Sequence, residues 1–158
     1  MCRCVPRALG RIVTSCYRPG AGGSGAARPG RRDLVVGLGV DLVELSRVVQ
    51  ALDRWGGRLV GKLMDAEEAA RLPTAAADRA RALALAVAGK EAASKALGTG
   101  WSRGVRWRDV DVLLGPQPAV ALRGGAAARA RALGSSGRTW ARLELRDGLA
   151  IGEVRLLS

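Results

Sequence analysis

The sequence predicts an α+β domain in which a mostly antiparallel sheet packs on one long helix. Three observations predict it: an apolar, β-branched run follows Asp33, a proline-free alanine-rich stretch occupies residues 75–97, and four short strand patterns follow that stretch. The predicted order is strand, helices, strand, strand, helix, strand, strand, without an internal repeat. Helices and strands segregated in this way are typical of an α+β fold.

The first half of the domain is expected to hold one strand and two helices. The run DLVVGLGVDLVEL has the apolar, β-branched composition of a buried strand. In VELSRVVQALDRW the apolar residues recur at helical spacing, and Gly56 and Gly57 end this helix. A short helix is expected at residues 65–72, with Asp65 as its N-cap.

The second half is expected to contain the longest helix and two strand pairs. Alanine dominates residues 75–97 and has the best helix propensity, while Gly98 stands at the C-terminal stop. The remaining elements are expected at residues 105–114 and 118–122 (strands), 125–133 (a helix), and 140–145 and 149–157 (a hairpin).

Residues 1–32 are expected to be a disordered leader that precedes a domain of residues 33–158. They contain seven arginines and no acidic residue, together with three prolines and the run PGAGGSGAARPG. A chain of this composition cannot bury enough apolar surface to fold alone. Two origins stay open: an organelle-targeting segment, or a reading frame that begins upstream of the true start.

The charge and the rare residue types exclude several functions. Seven of the twelve net positive charges lie in the leader, so the domain carries a net charge of only +5. Such a surface favours phosphorylated or acidic partners, and the argument for nucleic acid weakens once the leader is set aside. The chain has no histidine, and Cys2, Cys4 and Cys16 all lie in the leader, which excludes a zinc site and a Ser-His-Asp or Cys-His triad in the domain. No segment reaches the roughly 20 apolar residues of a membrane span.

Asp41 is the first candidate for a functional residue. It follows an apolar run, where a carboxylate is costly unless it is paired with a cation or bound to a metal. The competing interpretation is that Asp41 caps the next helix, with Glu44 three residues later as in a capping box. The sequence leaves both interpretations open.

A second cluster of charged residues lies in the block GKEAASKALGTG. Glu91 and Lys95 are four residues apart and share a helix face, next to Lys90. They form either an exposed ion pair or part of a ligand site, because small neighbouring residues let another backbone or a ligand approach closely. Gly98 and Thr99 begin a tight loop at the helix end.

Four segments together resemble one enzyme family. GVDLVELSRV (39–48) is similar to its G-[IV]-D-[IL]-V-E-[IL]-x-R-[IV] motif, MDAE (64–67) to T-x-x-E, and AGKEAASKALGTG (88–100) to A-x-K-E-A-x-x-K-A-[FL]-G-T-G. Residues 107–134 follow its W-x-D-[IV]-E-V pattern and the helix after it. Residues 35–156 thus resemble the holo-acyl-carrier-protein synthases, small 4′-phosphopantetheinyl transferases, and the resemblance implies their fold.

The resemblance implies a magnesium-dependent transfer of the 4′-phosphopantetheine arm of coenzyme A to a serine of apo-acyl carrier protein. Asp41 and Glu91 are implied as the Mg²⁺ ligands, and these two residues and Lys95 as the catalytic set. Lys90, Lys95, Gly98 and Thr99 are implied to bind coenzyme A, and Glu67 to support the site together with Lys90. Magnesium suits this chemistry because it takes oxygen ligands from carboxylates and phosphates.

The resemblance also implies partners and a location. Family members assemble as trimers with the active site between subunits, so a homotrimer is expected. The protein substrate is acidic, which suits the basic domain and the helix that bears Arg47 and Arg54. A cytoplasmic location is expected, with neither a membrane nor a nucleic acid as partner.

Three departures from the family pattern motivate an alternative to an active transferase. The arginine of R-F-A-x-K-E, which helps to hold coenzyme A, is Ala86 here, and Arg79 or Arg81 on the same helix could replace it. The threonine of T-x-x-E is matched to Met64, and the C-terminal histidine of the family to Leu145. The alternative is a degenerate paralogue that binds carrier protein or coenzyme A with little or no turnover.

Overall fold

Two antiparallel sheets and five α-helices make up the part of the chain that the structure, a computed structural model, describes: residues 15–17 and 33–158. The elements in chain order are β1 (Ser15–Tyr17), β2 (Val35–Glu44), α1 (Leu45–Trp55), α2 (Gly57–Leu63), α3 (Ala66–Ala70), α4 (Ala76–Ala96), a 3₁₀ turn (Trp107–Asp109), β3 (Val110–Leu113), β4 (Ala119–Leu122), α5 (Gly124–Ala132), β5 (Arg138–Arg146) and β6 (Leu149–Leu157).

The larger sheet has the strand order β1-β5-β6-β2, and β3 and β4 form a second, two-stranded sheet. Every neighbouring pair is antiparallel. The β5–β6 hairpin closes at Asp147 and Gly148, whose φ angles of 50° and 77° suit a turn that follows the right-handed strand twist. This architecture confirms the α+β prediction and the helix predicted at residues 75–97.

Helix α4 lies directly on the sheet because glycines face it from β2 and β6. A Cβ on Gly39 would overlap the carbonyl oxygen of Ala92 and lie 2.6 Å from the amide nitrogen of Ala96. A Cβ on Gly152 would lie 2.5 Å from the carbonyl oxygen of Ala88. Only glycine permits such approach, so backbone packs on backbone. The small alanine side chains of α4 suit this close contact.

Several element boundaries differ from the sequence prediction. The helical pattern predicted from Val43 begins only at Leu45, since β2 pairs with β6 as far as Glu44. Helix α2 was not predicted, because its glycines are poor helix formers; burial of Val60 and Leu63 stabilises it. The strand predicted at residues 105–114 is shorter in the structure. Its strand part is β3, because Trp107–Asp109 forms a 3₁₀ turn before it. The predicted N-cap is confirmed: Asp65 accepts a hydrogen bond from the amide of Glu68.

Part of the segment predicted to be a leader contributes to the sheet. Ser15–Tyr17 forms β1 and pairs with β5, with Ser15 opposite Ala141 and Tyr17 opposite Thr139. The other residues of 1–32 lie outside the described residues, so their disorder, and the domain boundary at residue 33, stay predictions. None of the helices described here has both the length and the hydropathy that a membrane crossing requires.

Gly39→Ala tests the close contact between α4 and β2. We expect the added methyl group to push the helix from the sheet and to lower the free energy of unfolding by about 1–3 kcal/mol or more. The matched control is Gly61→Ala in α2, where a Cβ would meet nothing within 4 Å. Alanine should change stability there by less than about 1 kcal/mol, in the stabilising direction. Equal destabilisation of both variants in urea unfolding would contradict this account.

Candidate active site

The close packing of α4 on β2 brings two charged residues together. Every second residue of β2 faces α4, and Gly37, Gly39 and Asp41 lie on this face. A Cβ on Gly39 would lie 2.9 Å from the Cβ of Lys95. Asp41 is the next residue on this face. Its Oδ1 lies 2.7 Å from the Nζ of Lys95, which also donates to the carbonyl of Val40 at 3.0 Å.

This geometry decides between the two interpretations of Asp41. The residue lies inside β2, so it does not cap α1; Glu44 occupies the N-cap position and makes no capping hydrogen bond with its side chain. The side chain of Asp41 is only 18% exposed, whereas that of Lys95 is 52% exposed. A nearly buried carboxylate is therefore paired with a cation that solvent can reach. The helical spacing had suggested an ion pair between Lys95 and Glu91. In the structure Lys95 pairs with Asp41 instead.

Glu91 lies one turn before Lys95 on α4 and is half-buried. The hydroxyl of Ser94 donates to its backbone carbonyl at 2.9 Å and lies 3.5 Å from its Oε2. Within residues 33–158, no lysine or arginine forms an ion pair with Glu91. Its carboxylate therefore keeps the capacity to bind a cation or to accept a proton.

The oxygen donors of Asp41 and Glu91 suit magnesium. In the part of the chain that the structure describes, no three acidic, cysteine or histidine side chains cluster tightly enough to form a complete metal site. Magnesium does not need one, because it is usually held by one or two carboxylates, with waters and substrate phosphates as the other ligands. Two carboxylates, those of Asp41 and Glu91, are the number that such a partial ligand set takes from a protein.

The turn after α4 holds the other two residues implied to bind coenzyme A. Gly98 has a φ of 68°, a left-handed conformation that glycine adopts readily at a helix C-terminus. The hydroxyl of Thr99 donates to the carbonyl of Gly100 at 3.1 Å, and Ser102 donates to the carbonyl of Thr99 at 2.6 Å. The turn is thus fixed by hydrogen bonds and lies at the same end of α4 as Lys95.

Lys90, which the resemblance implies as a coenzyme A ligand, lies in the core of the domain. Lys90 is fully buried, and its ammonium group donates to Glu68 Oε2 at 2.8 Å, to the carbonyl of Trp107 at 3.1 Å and to the carbonyl of Val110. These acceptors use all three of its N–H donors. Burial lowers the pKa of Lys90 and raises that of Glu68, while their ion pair opposes both changes. Lys90 is a structural residue of the core.

The glutamate that pairs with Lys90 is Glu68 and not Glu67, the residue that the resemblance implies. Glu67 is exposed, whereas Glu68 is buried and its Oε1 also accepts a hydrogen bond from the amide of Val112 at 3.0 Å. The T-x-x-E match therefore moves by one residue: Asp65 stands at the threonine position and Glu68 at the glutamate. The signal was in the sequence, because an N-cap followed three residues later by Glu is the spacing of a capping box. Met64 is then no departure from the pattern.

Neither Arg79 nor Arg81 reaches the position of the missing arginine. Arg79 donates to the carbonyl of Pro73 and Arg81 pairs with Asp78, both at the exposed start of α4. A cavity of about 60 Å³ lies beside Ala86, and Arg71 lines the same cavity. Sequence reasoning missed Arg71, because α3 and α4 meet only in the folded chain.

Arg71 belongs to a polar network next to the cavity. It pairs with Asp111, a buried carboxylate that also binds Arg123 at 2.8 Å, and Arg123 reaches Asp65 at 3.0 Å. Two arginines thus balance two aspartates. The network ties α3 to the β3–β4 sheet.

Glu68→Gln tests the buried ion pair. It leaves the ammonium group of Lys90 buried without a charged partner, so we expect the free energy of unfolding to fall by about 3–5 kcal/mol. Glu67→Gln, at the exposed neighbour, is the control and should change stability by less than about 0.5 kcal/mol. Adding Lys90→Met to Glu68→Gln should recover part of the loss. Urea unfolding measures all three, and equal stability of the two single variants would exclude this role.

Comparison with known proteins places these features in one family. The profile of the 4′-phosphopantetheinyl transferase superfamily matches residues 37–147. A holo-[acyl-carrier-protein] synthase of Alkalilimnicola ehrlichii is 43% identical over 106 residues, which span 66% of this chain and 83% of that protein. One from a Methylobacterium species is 45% identical over 102 residues, 63% of this chain and 75% of its own length.

Solved structures agree with the sequence comparison. The holo-[acyl-carrier-protein] synthase of Neisseria meningitidis aligns with a TM-score of 0.67 at 25% identity, over 78% of this chain and 98% of its own. The holo-ACP-synthase of Plasmodium yoelii, at 18% identity, has the same fold, with a TM-score of 0.69 over 81% of this chain and 98% of its own. The predicted family and fold are confirmed: the chain is a member of the holo-[acyl-carrier-protein] synthase family of 4′-phosphopantetheinyl transferases.

Proposed function

We propose that this chain transfers the 4′-phosphopantetheine arm of coenzyme A to a serine of apo-acyl carrier protein and releases adenosine 3′,5′-bisphosphate, in a reaction that depends on Mg²⁺. Family membership supports the transferase activity. The observation that supports the site is the contact between Asp41 and Lys95, at the same end of α4 as the Gly98–Thr99 turn. A carboxylate and a cation lie together at this end of α4, and both kinds of group suit phosphoryl transfer.

The transfer breaks the pyrophosphate bond of coenzyme A. The serine oxygen forms a bond to the phosphorus that carries pantetheine, the bond to the adenosine phosphate breaks, and the serine proton leaves. Negative charge develops on phosphate oxygens, so catalysis of this kind consists mainly of positioning and charge stabilisation. Bound Mg²⁺ would neutralise part of that charge.

The residues of this chain have separate roles in that chemistry. Asp41 and Glu91 would hold the metal ion. Lys95 is more than half exposed, so its ammonium group can move from Asp41 to a phosphate oxygen and act there as a point charge. One of the two carboxylates would take the serine proton through a water molecule. Gly98 and Thr99 would contact coenzyme A at the turn.

Mass spectrometry of the carrier protein tests the activity directly. We expect apo-acyl carrier protein to gain the mass of one phosphopantetheine group when it is incubated with coenzyme A, Mg²⁺ and the chain. Coenzyme A binding without any mass gain at high enzyme loading would overturn this proposal in favour of the degenerate paralogue, which Ala86 and Leu145 motivate. Chelation of divalent metal should stop the transfer.

Conservative variants test the two proposed metal ligands. Asp41→Asn and Glu91→Gln should each lower the transfer rate by about 10²–10³-fold, the size of losing one charge-stabilising group in an active site. Asp78→Asn is the control, because it makes the same change at an exposed position near the start of α4. Circular dichroism checks that all three variants fold. Parental rates for Asp41→Asn and Glu91→Gln would exclude the assignment.

We infer that the outer face of β2 is an interface in a homotrimer, as the family resemblance implies. Leu38, Val40 and Leu42 are 56%, 48% and 59% exposed on the face of β2 that points away from α4. An exposed apolar row of this kind is typical of a surface that another protein covers. The neighbouring strands carry paired charges on this face, with Arg142 next to Glu144 and Arg155 next to Glu153.

Leu38→Glu tests this interface. A charge buried without a partner should disrupt the assembly, so we expect sedimentation velocity to show a trimer for the parent and smaller species for the variant. Leu114→Glu, an exposed apolar residue away from β2, should leave the assembly unchanged. A parent that sediments as a monomer would contradict the inferred trimer.

The acidic carrier protein would dock on α1. Val48 packs into the core, whereas Arg47 and Arg54 are exposed on the other face of this helix. Opposite charges steer encounter and orient the partners. The cytoplasm is the proposed location, and neither a membrane nor a nucleic acid is a proposed partner.

A further inference from the structure

The end of α4 is an unfavourable place for an anion. A helix C-terminus carries about half a negative charge, because its last carbonyl groups have no partners within the helix. Gly98 and Thr99 follow directly after the C-cap residue Leu97. The proposed function brings coenzyme A, with its phosphates, to this turn. A cation is therefore needed to offset the field of α4.

Lys95 does not fully supply this cation in the structure. It lies in the last turn of α4, but its ammonium group is bound to Asp41 and to the carbonyl of Val40. Its charge is thus largely balanced by a carboxylate of β2.

Arg129, on α5, provides a cation at the end of α4. It lies in the last turn of α5, and its Nε donates to the carbonyl of Leu97 at 3.0 Å. Its Nη2 lies 3.8 Å from the place that a Cβ on Gly98 would occupy. The guanidinium group therefore satisfies a free carbonyl at the end of α4 and lies beside the turn.

The charge of Arg129 is not balanced by an acidic partner. Within residues 33–158, Arg71 and Arg123 pair with the buried Asp111 and Arg106 pairs with Asp109, but no carboxylate pairs with Arg129. Since Nε binds Leu97, the two terminal nitrogens keep donors for a further acceptor. A half-buried guanidinium group with free donors suits an anionic oxygen.

We propose that Arg129 is a positioning residue for coenzyme A. It fixes the Gly98–Thr99 turn through the carbonyl of Leu97 and reverses the negative field at the end of α4, so that a phosphate group can approach. This inference rests on the proposed function, which brings coenzyme A to the turn, and it adds a residue of α5 to that site.

Kinetics of Arg129→Ala test the role. Loss of one charge-assisted interaction should raise the KM for coenzyme A about tenfold, while the KM for carrier protein and kcat at saturating coenzyme A change by less than about twofold. Arg129→Lys should restore most of the affinity, because a lysine keeps the charge. Arg131→Ala is the matched control, since it removes the same charge from an exposed position on the same turn of α5 and should leave all three constants unchanged.

Two results would overturn the proposal: an unchanged KM for coenzyme A in Arg129→Ala, or equal effects of Arg129→Ala and Arg131→Ala. If Arg129→Ala does not fold, Arg129→Gln decides, because glutamine can still donate to the carbonyl of Leu97 but carries no charge. It should fold and bind coenzyme A more weakly than Arg129→Lys; equal affinities of these two variants would refute the charge effect.

Calorimetric titration with coenzyme A alone separates this inference from the proposed function. If the parent binds coenzyme A but does not modify carrier protein, the proposed transfer fails, while the ratio of dissociation constants between parent and Arg129→Ala still tests Arg129. If the parent transfers phosphopantetheine and Arg129→Ala binds coenzyme A as the parent does, only the role of Arg129 fails.

Discussion

The direct contact between α4 and the glycines of β2 and β6 is the constraint on which the rest of the structure depends. Because Gly39 and Gly152 lack side chains, the backbone of α4 lies against the backbone of the sheet. That distance brings Asp41 within hydrogen-bonding reach of Lys95. A bulkier residue at Gly39 would separate the helix from the strand and the lysine from the aspartate together.

Helix α4 contributes a lysine to each of two ion pairs, one exposed to solvent and one buried. The pair Asp41–Lys95 faces solvent, so Lys95 can exchange its partner for a ligand. The pair Glu68–Lys90 is buried and fully hydrogen-bonded, and it ties α3 and the β3–β4 sheet to the helix. Lys95 is thus able to bind a ligand, whereas Lys90 stabilises the fold, although both are lysines of the same sequence motif.

The sequence predicted the long helix and the hairpin well, because alanine content, β-branched runs and turn residues are local signals. It could not separate Lys90 from Lys95, since burial depends on which helix face meets α3 and β3. It assigned the glutamate of the motif to Glu67, one residue before the glutamate that pairs with Lys90, because two adjacent glutamates fit a short motif almost equally. Arg71 and Arg129 were missed, because each meets its partner only through tertiary contacts.

Lys90 and Glu91 are adjacent in the chain yet project about 100° apart around the helix axis. The first donates to carbonyl groups in the core, and the second is half-buried and is one of the two proposed metal ligands. If α4 were shifted by one residue along the sheet, the direction of the shift would decide the result. Either Glu91 would take the buried place of Lys90 beside Glu68, or Lys90 would take the place of Glu91. The buried lysine therefore sets the rotational phase of the helix, and with it the side on which its carboxylate emerges.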